Sequence, residues 1–308
     1  RVTGLDLALP MNTGAEAVET SIKVARRWGY DVKGIPDNQA KIIVCNGNFH
    51  GRTTTIISFS SEAAYKRGFG PFDGGFDLIP YGDADALEKA ITPNTCAFLV
   101  EPIQGEGGIL VPPEGYIKRA QEICRKHNVL LILDEIQTGM GRTGKNFCFQ
   151  HEIDKPDAVL LGKALGGGLY PVSAFVARKD VMDVLGPGSH GTTFGGNALA
   201  AAIGVEAIKI LTEEKMAERS EELGAHLMKR LSAIQSPLIK DVRGKGLFVG
   251  LEIVPETPAR AICNKLKDRG MLCKETHETV IRFAPPLIIQ KQELDWALDQ
   301  VESVLREF

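Results

Sequence analysis

The chain has 308 residues, more than one compact core usually holds, so one large and one smaller domain are expected. Hydrophobic residues make up 44% and charged residues 24%, a balance that argues for a folded globular chain and against disorder. The net charge of −3 comes without a basic stripe, which speaks against a nucleic-acid partner, and the longest apolar runs, such as Val129–Leu133, are too short to span a bilayer. The six cysteines (Cys45, Cys96, Cys124, Cys148, Cys263 and Cys273) form no CxxC pair and have no histidine at ligand spacing. This pattern suits free thiols in a reducing compartment, hence the cytoplasm, and no metal site.

Arg1 to Pro10 has neither a signal-peptide core nor a transit pattern. Residues 14–28 read as a helix, with Val18, Ile22, Ala25 and Trp28 on one face, Glu16 and Glu19 near its start and Arg26 and Arg27 near its end. KIIVC at 41–45 reads as a buried strand, 83–91 as a short helix, TCAFLV at 95–100 as a strand and 114–127 as a helix. VLLIL at 129–133 is the most apolar strand, and 158–161 and 172–177 are two more. Strands alternating with helices, with nearly continuous apolar strands, imply an α/β fold whose sheet is largely parallel and covered on both faces. After about residue 212 the character changes: a charged helix over 213–234, a strand over 245–253, a helix over 258–269, short strands over 272–274 and 280–283, and a closing helix over 292–306. The expected division is a large domain over 1–212 and a smaller α+β domain over 213–308.

Ligands of parallel sheets bind beyond the carboxyl ends of the strands. Asp134 follows one strand, with Gln137 close behind it, and Lys163 follows another, with Gly166, Gly167 and Gly168 leaving room around it. A lysine in such a crevice can form a Schiff base, and a carboxylate beside it can pair with a pyridinium nitrogen; a plain salt bridge between the two is the simpler reading. The segment Met11–Ala15 opens the first helix: Asn12 or Thr13 can cap it, and Gly14 lets backbone N–H groups approach an anion. The hydroxyl-rich loop His190–Asn197 offers a second place for phosphate oxygens, and Phe49 a face for stacking. The glycines around Gly244 have the wrong spacing for a dinucleotide loop, and Gly162-Lys163 lacks the leading glycine of a P-loop. The histidines His50, His127, His151, His190, His226 and His277 show no metal-binding pair and read as scattered surface or supporting groups.

Seven ordered segments, MNTGAEAVET, NFHGRT, EPIQGEGG, LDEIQTGMGRTG, LLGKALGGGLYPVSA, HGTTFGGN and VIRFAPPL, together resemble the fold-type-I pyridoxal-phosphate enzymes of the class-III aminotransferase family, the subgroup that acts on ornithine, acetylornithine and 4-aminobutyrate. GYDVKGIP, GGLYPVSA and ETHETVIRFAPPL lean toward the ornithine branch. The resemblance runs from about Leu9 to the C-terminus and implies a role for each matching position. Lys163 would hold the cofactor, pyridoxal 5'-phosphate, and carry the proton. Asp134 would bind the pyridine nitrogen, Gln137 the side of the ring hydroxyl, and Phe49 would stack on the ring. Gly14 and Ala15 would give backbone donors to the phosphate, and Thr193 would reach the phosphate of a partner subunit's cofactor, in a homodimer with shared active sites. Arg52 would hold the α-carboxylate of ornithine. Arg282 would hold a carboxylate of glutamate or 2-oxoglutarate, with Glu106 able to mask it; a permanent Glu106–Arg282 salt bridge is the plainer alternative.

The reaction so implied moves the δ-amine of ornithine to 2-oxoglutarate, giving glutamate 5-semialdehyde, which cyclises to pyrroline-5-carboxylate, and glutamate. The competing readings are an acetylornithine or other ω-amine aminotransferase, a non-catalytic or racemase-like relative, and a binding protein with a merely structural lysine. Family members carry roughly a quarter more chain ahead of MNTGAE, so a longer natural protein is expected.

Overall fold

The computed structural model describes residues 2–308. Two compact units are distinguished, one comprising Arg1–Pro102, Pro112–Gly139 and Phe149–Lys209, the other Ile103–Val111, Met140–Cys148 and Ile210–Phe308.

The first unit contains, in chain order, β1 (Leu7–Met11), α1 (Gly14–Asp31), β2 (Lys41–Cys45), α2 (Thr54–Ser58), α3 (Ala63–Lys66), β3 (Phe76–Ile79), α4 (Ala84–Ala90), β4 (Thr95–Val100), α5 (Tyr116–Lys126), β5 (Leu130–Asp134), β6 (Ala158–Leu161), β7 (Ser173–Ala177) and α6 (Lys179–Met182), and α7 (Ala198–Glu213) follows. Its strands form one seven-stranded sheet in the order β1-β7-β6-β5-β4-β2-β3. The five strands from β3 to β6 run parallel. β7 is antiparallel to β6, and β1 antiparallel to β7. The mostly parallel sheet is therefore as expected, with a reversal at one edge. Every residue of β4, β5 and β6 is buried, which is why these strands carry apolar side chains without alternation. α1 lays Ala17, Val18, Ile22, Ala25 and Trp28 into the core formed with Ile42, Val44, Leu99, Leu130 and Phe175.

β1 (LALPM) and β3 (FDLI) escaped the reading of the sequence. Both are edge strands with mainly half-buried or exposed residues, and β3 is tied to β2 by Lys41 and Asp77 at 3.1 Å. α7 was missed for the opposite reason: its sequence, ALAAAIGVEAIKILTE, is apolar nearly all round and shows no one-sided period.

The second unit has α8 (Met216–Ala233), β8 (Ile239–Lys245), β9 (Phe248–Ile253), α9 (Ala259–Asp268), β10 (Lys274–Thr276), β11 (Val280–Phe283) and α10 (Lys291–Leu305). Its sheet runs β10-β11-β9-β8 and is antiparallel throughout. Leu223, Leu227 and Leu231 of α8, Ile262 and Leu266 of α9, and Leu298 and Val301 of α10 meet Val249, Leu251 and Ile281 in its core. Three expected spans are corrected. The helix expected over 213–234 begins afresh at Met216, because Lys215 adopts a left-handed conformation (φ 51°) that ends α7. The strand expected over 245–253 is two strands joined by a tight turn at Gly246 and Leu247, so the glycines set aside as a false phosphate loop build a hairpin. The short strand expected over 272–274 lies at Lys274–Thr276.

Gly246 sits at φ 54°, where a side chain strains the backbone, and Gly224 of α8 lies against it. A Cβ on Gly224 would fall 2.2 Å from the carbonyl carbon and oxygen of Gly246, both main-chain atoms with little freedom to withdraw. Gly224→Ala is therefore expected to destabilise the protein by about 3 kcal/mol, the upper end of the usual cost of overpacking. Denaturant unfolding of the variant checks this; a midpoint within error of the parent would show that the hairpin yields.

Candidate active site

Four neighbouring parallel strands, β2, β4, β5 and β6, end on the same edge of the sheet, and a chemically active side chain follows or closes each of them. Asp134 is the last residue of β5, and its side chain is 4% exposed. One carboxylate oxygen accepts from the N–H of Ile136 at 3.0 Å, and the other accepts from Nδ1 of His50 at 2.7 Å. His50, beyond β2, is fully buried, and its Nε2 has no hydrogen-bond partner among the described residues. Burial works against the imidazolium, but the hydrogen bond and charge of Asp134, with the charge of Glu101 behind them, outweigh it, and His50 titrates above its ordinary value.

Glu101 is the residue just past β4. β4 and β5 pair with Val100 opposite Leu133, so Glu101 comes level with Asp134. Its carboxylate accepts from the N–H of Phe49 at 2.7 Å. Burial pushes Glu101 up to about 7; the charge of His50 pulls it back, that of Asp134 raises it further, and the Phe49 N–H and Lys163 lower it. Neither Glu101 nor His50 was singled out as a site residue in the sequence. Glu101 lies in the EPIQGEGG segment, directly after an apolar strand, and inspecting the residue beyond β4 as those beyond β5 and β6 were inspected reaches it.

Phe49 packs edge-on against Tyr65, with ring centres 5.9 Å apart. The guanidinium of Arg52 stands 4.2 Å from the centre of the Tyr65 ring and 5.7 Å from that of Phe49, so two aromatic faces orient it without neutralising it. Lys163 follows β6 by two residues and has φ 42°, an uncommon conformation for a residue with a side chain. A Cβ on Gly14 would come 2.9 Å from Ile136, and one on Gly162 would come 3.4 Å from Ile136 and 3.7 Å from the Cα of Gly14. The start of α1, the turn after Asp134 and the approach to Lys163 therefore meet around Ile136, and a side chain at Gly14 would have to displace the tip of Ile136.

Thr13 caps α1 in a reciprocal box: its hydroxyl accepts from the N–H of Glu16 at 3.3 Å, while the Glu16 carboxylate takes the N–H groups of Thr13 at 2.8 Å and Asn12 at 2.7 Å. Among the described residues, the N–H groups of Gly14 and Ala15 remain without a partner and point out of a helix N-terminus, as an anion site requires. The side chain of Asn12 donates to Thr192 at 2.9 Å, which ties the hydroxyl-rich loop to this end of α1, while the adjacent Thr193 is exposed. Gln137 is half-buried in the turn after β5. That turn is anchored by Glu135, which accepts from Phe149 N–H at 2.7 Å and from the Thr138 hydroxyl at 2.5 Å.

Within the second unit, Arg282 of β11 donates to Glu106 at 2.6 Å, each side chain about one-fifth exposed, and the Thr276 hydroxyl of β10 donates to the Glu106 carbonyl at 2.5 Å. The ion pair drawn from the sequence is formed. Among the described residues no cluster of His, Cys, Asp and Glu is arranged to hold a metal ion, and no helix is long and apolar enough to cross a membrane.

A buried strand-end carboxylate, a strand-end lysine and a helix N-terminus with free donors define an enzyme that works through a phosphorylated ring cofactor. The chain matches the family model of class-III aminotransferases over residues 1–305. It is 60% identical over 304 residues to an ornithine aminotransferase of Brevibacillus brevis, covering 99% of this chain and 76% of that one. Its fold matches the crystal structure of the ornithine aminotransferase of Toxoplasma gondii with a TM-score of 0.97 at 49% identity, covering 99% of this chain and 74% of that one. An acetylornithine aminotransferase of Elizabethkingia anophelis matches with a TM-score of 0.89, also at 49% identity, over 99% of this chain and 77% of that one. The chain belongs to the class-III aminotransferase family, whose members use pyridoxal 5'-phosphate, and it has the fold-type-I architecture of that family.

The buried cluster makes stability depend on pH. Glu101 and His50 both hold a proton more tightly in the folded than in the unfolded chain, so each contributes less as pH rises: Glu101 from about its ordinary 4.5 to about 7, His50 from its ordinary 6.5 upward. Glu101→Gln stays neutral throughout. Its thermal stability relative to the parent, measured without cofactor, is expected to rise between pH 4.5 and pH 7 and then level off; a difference independent of pH would mean that folding leaves the affinity of Glu101 for its proton unchanged.

Proposed function

We propose that the enzyme transfers the δ-amino group of L-ornithine to 2-oxoglutarate, giving glutamate 5-semialdehyde and glutamate. The observation that carries the choice of ornithine is the 60% identity, along essentially the whole chain, to a relative named for that reaction. Likeness of structure alone does not separate it from an acetylornithine enzyme, because one neighbour of each kind stands at 49% identity. The first compact unit is the cofactor-binding domain in this reading, and the C-terminal residues form the smaller one.

The residues fit the cofactor. The open N–H groups of Gly14 and Ala15 suit its phosphate, the buried Asp134 carboxylate its ring nitrogen, Gln137 the side of its ring hydroxyl, and the face of Phe49 its ring. When bound, pyridoxal 5'-phosphate supplies an electron-withdrawing ring that acidifies the carbon bearing the substrate's amine. Asp134 would hold the ring nitrogen in its protonated form, and His50 orients Asp134 through the 2.7 Å hydrogen bond. The amine of Lys163 would hold the cofactor and would be the group that moves the proton of the substrate carbon. Arg52, held flat by Tyr65, receives the α-carboxylate of ornithine and so presents the distant δ-amine. Arg282 receives a carboxylate of 2-oxoglutarate or glutamate, and Glu106 covers that charge while ornithine is bound.

A homodimer accompanies this reading, with Thr193 reaching toward the partner's cofactor phosphate. Thr193 lies in an exposed region of the first unit where Leu169, Phe194, Leu199 and Val205 are all more than half exposed, an apolar surface of the kind that subunit contacts cover. The six free cysteines suit the cytoplasm.

Side-by-side assay of ornithine and N-acetylornithine with 2-oxoglutarate tests the substrate; faster use of N-acetylornithine would replace the reading. Lys163→Ala is expected to lose the visible absorbance of the lysine-bound cofactor and all multiple turnover, and sustained turnover in that variant would overturn the assignment. Arg52→Ala is expected to cut kcat/KM for ornithine at least about tenfold, the loss of a charge-assisted hydrogen bond worth roughly 1.5–3 kcal/mol, while a monoamine without the α-carboxylate is affected much less. Equal losses on both substrates would make Arg52 a support of the fold.

A further inference from the structure

Two buried carboxylates, one buried imidazole and one lysine amine share the ends of four adjacent strands, and the roles given so far use only Asp134 and Lys163 fully. Asp134 accepts two hydrogen bonds, from Ile136 N–H and from His50, whereas Glu101 accepts one, from Phe49 N–H. The groups facing Glu101 are His50 and Cys45 from the β2 side, Asp134 from β5 and Lys163 from beyond β6. Those facing His50 are Asp134 and Glu101, with the Phe59 ring, 6.0 Å away centre to centre, beside it.

We propose that Glu101 is a positioning residue of this site: its carboxyl group fixes the backbone of the ring-stacking Phe49 and, together with Asp134, encloses His50 so that the imidazole remains the charged partner of Asp134. The proposal rests on the reading of Asp134 as the partner of the cofactor's ring nitrogen.

The argument is one of charge and place. Two carboxylates level with each other on neighbouring strands repel, and with water excluded one of them takes up a proton before the other. Asp134 has two hydrogen-bond donors, Glu101 one. Glu101 is the member that yields, and burial already pushes it up to about 7. The site thereby keeps a charged Asp134–His50 pair at working pH and stores its one variable proton on a group two strand-ends away from Lys163. His50 has a second, buried nitrogen with no hydrogen-bond partner among the described residues, so the two carboxylates are what oppose the cost of burying its charge. The Glu101 carboxylate that acts on His50 through its charge also holds the N–H of the residue before it, so the ring-stacking side chain and the imidazole share one anchor.

The test uses the full chain labelled with 15N-histidine, which has six imidazoles; His50 is assigned by the signal lost in His50→Asn. In the cofactor-free protein His50 is expected to titrate above about 6.5, and in Glu101→Gln to fall by on the order of one unit, because one of its two facing carboxylates is gone. In the cofactor-loaded enzyme Glu101→Gln is expected to lower kcat roughly tenfold, the low end of what a supporting carboxylate contributes to the group it orients, with KM for both substrates nearly unchanged and the limb of the pH profile near 7 flattened. The Gln variant keeps an acceptor for Phe49 N–H and is expected to bind the cofactor like the parent, whereas Glu101→Ala, which loses the anchor, is expected to release it more readily in equilibrium dialysis. Identical His50 titrations in parent and Glu101→Gln, with superimposable pH profiles, would overturn the proposal. If Glu101→Gln does not fold, the parent decides: a His50 that titrates below about 6.5 would refute the charged pair. A parent enzyme that prefers another amine would overturn the ornithine reading and leave the His50 titration as the independent measure.

Discussion

The contact between His50 and Asp134, 2.7 Å long and closed off from water, is the interaction on which the rest of the site depends. A carboxylate buried alone costs several kcal/mol, whereas one that meets an imidazolium and a backbone N–H keeps most of what it loses on leaving water. The pair requires a second strand to bring the histidine and a third to bring the carboxyl group level with Asp134, so the charge balance is a property of the sheet and not of one loop. This also explains why the strands beneath it are entirely apolar. With β4, β5 and β6 buried on both faces, the only places for polar side chains are the strand ends, and the parallel register places those ends side by side.

The close approach around Ile136 is a second constraint, and it is steric. Gly14 opens α1 and Gly162 precedes Lys163; a side chain at Gly14 would run into the tip of Ile136, and one at Gly162 would fill the remaining space beside it. The N-terminus of α1 thus comes close both to the turn after Asp134 and to the residue before Lys163. The capping box contributes by using up Asn12, Thr13 and Glu16 among themselves. The first two helical N–H groups are left for an anion from outside, where a different cap would have satisfied them.

Much of this was legible in the chain because buried parallel strands announce themselves. β2, β4, β6 and β11 lie at the positions their apolar runs indicate, and Asp134 and Lys163 follow from the rule that ligands sit at strand ends. What escaped had no such signal. β1 and β3 are edge strands with one face open, and α7 is apolar on all sides, so neither a period of two nor one of 3.6 residues stands out. The hairpin at Gly246 was hidden because its glycines are set by close packing, Gly246 against Gly224 of α8 and Gly244 against Phe248 of the facing strand. His50 escaped for a similar reason: in the sequence it is one histidine of six beside a glycine and an arginine, and its partner lies 84 residues later. Glu101 was visible as part of a resembling segment, but its significance comes from register, which only pairing between strands provides.

In the proposed reading the charge of Arg282 is released from Glu106 during the reaction, and the moderate burial of the pair suits that. Fully exposed ion pairs contribute about 0–1 kcal/mol and specify little, while fully buried ones cost several kcal/mol to break, about 3–5 when one partner is lost. At about one-fifth exposure this pair lies between those limits: close enough at 2.6 Å to neutralise the guanidinium, wet enough for an incoming carboxylate to replace Glu106 without stranding a bare charge. The main chain of Glu106 is held independently, since its carbonyl accepts the Thr276 hydroxyl from β10, and Arg282 is fixed by pairing with Lys274 on that strand and with Gly250 on β9. Backbone and side chain are thus secured by different contacts, so the Glu106 carboxylate can leave the arginine while the strand that carries the arginine stays where it is. A pair anchored through its side chains alone would have no such freedom, and that separation makes exchange between two kinds of substrate, one bearing a carboxylate for Arg282 and one not, compatible with a fixed sheet.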